Sequence, residues 1–181
     1  MQMSYVKKMV FTAACAALCL VLPMAFHTVP NAGSVFLPMH IPVLLCGLVC
    51  GWPYGLVCGL IGPAISSLTG MPPLAMLPSM MVECAAYGAI TGLMMKFVRT
   101  KSTTADLYIS MVTAMLLGRV IAGLAKALIL APGTPAFAWV TTSLVTGIPG
   151  IVIQLIIMPA VVFALTKARL IPIRYPKEEK V

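Results

Sequence analysis

Acidic residues are almost missing from this chain: Asp and Glu number 4 in 181 residues, and all charged side chains together make up 9%. An ordinary soluble domain carries about 25%, so there is too little polar surface to clothe a water-soluble body. Histidine occurs 2 times, and the pair, His27 and His40, lacks the spacing of a metal site. No glycine-rich loop of the phosphate-binding type is present, which speaks against a nucleotide site. Ser66 and Ser67 with His40 offer a nucleophile and a base, but nothing sets their mutual geometry, so no catalytic constellation and no cofactor or metal site is expected. What fills the sequence instead is apolar, 61% at a mean hydropathy of +1.05, against roughly 45–50% in a soluble domain. This is the composition of a polytopic membrane protein. A membrane helix needs about 20 residues, which caps the chain at about nine spans and leaves five or six after loops and tails. One compact all-α bundle is expected, without a separate soluble catalytic domain or an attached ATPase.

The net charge of +8 would suggest nucleic acid in a soluble protein. Here the basic residues cluster in short segments flanking apolar runs, where membrane topology explains them and no nucleic-acid partner is needed. The six cysteines, Cys15, Cys19, Cys46, Cys50, Cys58 and Cys84, all lie inside apolar runs and read as small packing residues with free thiols.

Hydropathy and breakers place six spans, at about 9–26, 39–51, 55–68, 74–98, 106–130 and 137–165, in one domain covering 1–181. The first resembles a signal peptide, but its length and the five spans behind it favour retention. The second is short enough to require tilt or burial among its neighbours. Trp52-Pro53-Tyr54 marks a turn between the second and third. Around it Gly-Leu-Val-Cys-Gly occurs twice, so that Gly47, Gly51, Gly55 and Gly59 form a small-residue series suited to close helix packing, as do Gly88 and Gly92 in the fourth span. Asp106 is expected to start the fifth helix, and Pro149 and Pro159 to kink the sixth. With both termini cytoplasmic, Lys7, Lys8, Lys96, Arg99, Lys101, Lys167, Arg169, Arg174, Lys177 and Lys180 all fall inside, and the outer loops 27–38, 69–73 and 131–136 contain no Lys or Arg. The positive-inside bias therefore selects six spans over five.

Away from the ends of those spans, three charged side chains stand inside them: Glu83, Arg119 and Lys126. Unpaired, each costs a few kcal/mol at the bilayer centre, so each must face the bundle interior or a wet cavity. Arg119 and Lys126 are two turns apart on nearly one helix face, about 10 Å in height, with Glu83 between them in depth. A buried ion pair that only locks helices is one reading. Two cations against one carboxylate leave a spare positive charge, and that favours an anion received from outside. His40, Asn31, Tyr87 one turn after Glu83, and Trp139 would approach the same outer half. Taken singly, His40 reads as a loop histidine, Asn31 as a turn residue and Trp139 as an interfacial anchor. As a set with Glu83, Arg119 and Lys126 they have the make-up of a small-molecule site.

Six spans, a long first outer loop, Ala13 and Ala17 in Thr-Ala-Ala-Cys-Ala-Ala, and the segment FLPMHIPVLLCGLVCGWPYG at 36–55 together resemble the substrate-binding S component of an energy-coupling factor (ECF) vitamin transporter. The resemblance implies high-affinity capture of a vitamin outside by the 27–40 loop and the outer halves of the later helices. It also implies docking through Ala13 and Ala17 on a T component driven by two ATPase subunits, and residence in a prokaryotic cell membrane. The spare cation makes an acidic vitamin the expected ligand, pantothenate first. An amine-bearing vitamin becomes preferable if Glu83 faces the pocket while Arg119 is neutralised elsewhere. An autonomous small-solute transporter or channel, or a membrane assembly protein whose charges merely lock helices, are the competing readings.

Overall fold

The structure is a computed structural model that describes residues 3–25, 32–70, 72–133 and 135–175. Every element among them is helical: α1 Tyr5–Ala25, α2 Ala32–Phe36, α3 His40–Cys50, α4 Trp52–Ser67, α5 Leu77–Phe97, α6 Thr103–Ala125 running into a π turn Lys126–Leu130, α7 Ala136–Thr146 and α8 Ile148–Lys167. Three stretches, Tyr5–Ala25, Thr103–Leu130 and Ile148–Lys167, are long and apolar enough to cross a membrane by length and composition.

The bundle is inverted relative to a soluble protein. Its surface carries Val6, Met9, Val10, Leu116, Leu117, Val120, Ile121 and Ile156, while His40, Glu83, Asp106, Arg119 and Gln154 are buried. Lipid solvates the first set, and the second must find partners inside. α3 is the most enclosed helix, with nine of its eleven residues buried, and it packs on α1, α4, α5 and α8. At about 16 Å it does not need to cross upright, because neighbouring helices surround it.

Glycines set the closest approach. A Cβ built on Gly55 or Gly88 would run into the other residue's backbone, one on Gly59 would meet the backbone of Cys84, and one on Gly92 the backbone of Trp52. The small-residue series therefore brings α3, α4 and α5 into backbone contact, as close packing of helices requires. The turn itself falls elsewhere than expected. Gly51 alone reverses the chain, at φ 96° and ψ 175°, and Trp52-Pro53-Tyr54 forms the first turn of α4. Proline is suited to that place, since its missing N–H has no partner there anyway.

The run expected as one sixth span is divided at Gly147, after which α8 starts with Pro149 in its first turn. Pro149 thus opens a helix, and Pro159 lies buried inside it. Asp106 is likewise not the residue that starts α6. The helix begins at Thr103 behind Ser102, and the Asp106 carboxylate accepts hydrogen bonds from the Thr100 amide (2.8 Å), the Thr100 hydroxyl (2.7 Å), Arg174 Nε (2.6 Å) and the Tyr175 hydroxyl (2.6 Å). Arg174 Nη2 also donates to the Met95 and Val98 carbonyls at the end of α5. The segment after α8 is thereby strapped across the basic end of the bundle.

Candidate functional site

At the opposite end the helices enclose a cavity of about 490 Å³, lined by His40, Glu83, Arg119, Lys126 and Trp139, among others. Five of the seven residues expected at the ligand therefore converge. Tyr87 stands behind the wall, 1% exposed, and reaches the cavity only through its neighbours. Asn31 lies outside the described residues, as do Lys177 and Lys180.

The centre of the site is a relay between α5 and α6. The Tyr87 hydroxyl donates to Glu83 Oε1 at 3.0 Å and accepts from Arg119 Nε at 2.8 Å. Arg119 Nε itself is 3.4 Å from Glu83 Oε1. The pairing satisfies the rule that a buried charge must be matched, and in a low dielectric such bonds reinforce one another. Gly118 makes it possible, because a Cβ there would overlap the Tyr87 ring. Glu83 thus pairs with Arg119.

Arg119 has a second attachment. Its Nη1 donates to the Ser143 carbonyl at 2.6 Å, which is in the last turn of α7, and the guanidinium packs where a Cβ on Gly147 would stand. The same carbonyl accepts the Gly147 N–H at 3.1 Å, and a cation at a helix C-terminus opposes the negative end of the helix dipole. Arg119 therefore ties the α7–α8 break to α5 and α6, while Pro149, which lacks an N–H, supplies the local reason for a new helix start after Gly147.

Lys126, at the start of the π turn, has no ion pair among the described residues, and its Nζ lies 5.2 Å from the centre of the Trp139 ring. Trp139 is half-buried, so its indole serves as cavity wall and as a cation–π partner. His40 opens α3 at 1% exposure, its ring tilted 57° on Tyr87 with centroids 5.0 Å apart. Its Nε2 is 3.7 Å from Glu83 Oε1, yet neither ring nitrogen has a hydrogen-bond partner among the described residues. Buried polar atoms are nearly always satisfied, so an imidazole in the cavity wall whose nitrogens have no hydrogen bond among the described residues is open to an occupant.

Sequence reasoning missed Ser79, Thr142, Ser143 and Thr146 in the wall. Their signal was present: Ser79 precedes Glu83 by one turn, and Thr142, Ser143 and Thr146 follow Trp139 at spacings of three, four and seven, along one helical stripe. Gln154 was also missed. Its Nε2 donates to the Leu37 carbonyl at 3.1 Å, fixing the segment that leads into His40. The described residues contain no group of His, Cys, Asp and Glu arranged to hold a metal ion. On α1, Ala13 and Ala17 are both exposed, on the side away from the buried Cys15 and Cys19.

A comparison with the curated proteins finds no match. Residues 7–162, however, match the profile of the family described as "ECF transporter, substrate-specific component". That stretch takes in the whole cavity and α1 with its exposed alanines, and it accords with an all-helical body whose outside is apolar. The chain belongs to the family of ECF transporter substrate-specific components.

Proposed function

We propose that this subunit captures a small anionic vitamin, pantothenate first, from outside a prokaryotic cell. It then delivers the vitamin inward by docking on a T component driven by two ATPase subunits. In this reading six spans leave both termini in the cytoplasm, and the cavity opens outward. The observation that carries the ligand choice is the charge balance of the wall: Glu83 is matched by Arg119, and Lys126 is left as a positive charge without an ion pair among the described residues. An amine-bearing vitamin would meet Lys126 and find the cavity's carboxylate already engaged, which opposes that alternative. Docking is assigned to the Ala13 and Ala17 face of α1, because it is exposed, bare and uncharged, and small residues let a partner helix approach closely.

Equilibrium binding of pantothenate to the purified chain, followed by quenching of Trp139 fluorescence, tests the ligand. Copurification with the T component and ATPases tests the subunit role. Uptake into liposomes that contain this chain alone would instead support an autonomous transporter.

A further inference from the structure

Taking the cavity as the binding site of the subunit proposed above, we infer that it reads a two-ended molecule. Lys126 receives the anionic end, His40 hydrogen-bonds the other, and Arg119 is a positioning residue that does not touch the ligand. The two cations are separated by their partners. Arg119 is 1% exposed and its Nε and Nη1 are bonded to Tyr87 and the Ser143 carbonyl. Its charge is matched by Glu83, so a ligand carboxylate at Arg119 would have to compete with that pairing. Lys126 has nothing to give up except the face of Trp139, so it is the cation free to accept an anion with three N–H donors.

His40 marks the other end. Its Nε2 lies near Glu83 Oε1, which is itself at Arg119, so the histidine sits beside the Arg119 guanidinium, whereas Lys126 Nζ sits over Trp139. The histidine's Nδ1 has no polar partner among the described residues, and its Nε2 has only the Glu83 carboxylate at 3.7 Å. The matching ligand end is a hydroxyl or amide, which can both donate and accept. A compact carboxylate with no second polar group would leave His40 unsatisfied, and a dication or amine would meet Lys126.

Pantothenate and its neutral alcohol analogue pantothenol are the probes, titrated against wild-type protein, Lys126→Gln, Lys126→Arg and Arg119→Lys. Wild-type protein is expected to prefer pantothenate. Lys126→Gln weakens pantothenate by about 30-fold, the low end of the cost of truncating one partner of a buried charge pair, and leaves pantothenol nearly unchanged. Lys126→Arg restores the preference. Arg119→Lys lowers thermal stability but keeps the pantothenate-to-pantothenol ratio, which a ligand-binding arginine would not.

If wild-type protein binds pantothenate and Lys126→Gln weakens both probes equally or neither, the assignment of Lys126 is overturned while the binding-subunit reading stands. A wild-type protein that ignores both probes but binds thiamine overturns the two-ended anionic ligand and again leaves the subunit reading intact. Binding of no vitamin in a panel of pantothenate, nicotinate, folate and thiamine removes both.

Discussion

Replacing Gly88 with alanine puts one methyl group where α4 and α5 touch backbone to backbone. The new Cβ would overlap the Gly55 carbonyl oxygen and carbon and stand 2.9 Å from Gly55 Cα. None of these atoms belongs to a side chain that can rotate away, so the two helices must part by about an ångström. A gap of 0.5–1 Å forfeits a quarter to a half of each dispersion well of about 0.1–0.2 kcal/mol, and over several tens of atom pairs this amounts to about 3 kcal/mol. The displacement also carries Glu83 and Tyr87, which ride on α5, away from Arg119. Equilibrium unfolding in mixed micelles with increasing SDS measures the loss. Two variants calibrate it. Gly123→Ala meets Val140 Cγ2 and the Trp139 ring, which are side chains, and should cost about 1 kcal/mol. Gly33→Ala meets nothing within 4 Å and should stay within about 0.5 kcal/mol of wild type. If Gly88→Ala is as harmless as Gly33→Ala, the backbone contact between α4 and α5 is not what holds these helices together.

Asp106→Ala removes the acceptor that gathers Thr100, Arg174 and Tyr175. Breaking a buried pair on one side costs about 3–5 kcal/mol, so tryptic cleavage after Arg174 should accelerate at least about tenfold; an unchanged rate would mean that the strap is held by something else. Ala13→Trp with Ala17→Trp should abolish copurification with the T component and leave pantothenate binding intact, because neither alanine approaches the cavity. Retained association would move the docking face off α1. The proposed topology predicts that a cysteine at Gly133 is labelled by an impermeant maleimide from outside and one at Lys101 only after the membrane is opened. The native cysteines give little background, since all six are buried.

The convergence of Glu83, Arg119 and Lys126 was legible because charges are so rare in this chain that each must be accommodated by another, and helical spacing placed two of them on one face. Their division of labour was not. Spacing along α6 puts Arg119 and Lys126 on one stripe, but it says nothing about which neighbouring helix presents a carboxylate, an aromatic face or a backbone carbonyl to each. Those facts depend on how helices are rotated about one another, and that rotation is set by Gly55, Gly88 and Gly118, residues whose role is to be absent. The same limit hid the strap. Asp106 looked like a helix-start residue from its local sequence, while its bonding partners Arg174 and Tyr175 lie 68 and 69 residues away. The break at Gly147 was half legible: Pro149 marked an interruption and opens α8, but the bond from Arg119 to the Ser143 carbonyl beside it comes from another helix. In a bundle this poor in charge, each ionised group has one place to go. Which of the charges away from the span ends lacks an ion pair is decided by packing, and among the described residues that one is Lys126.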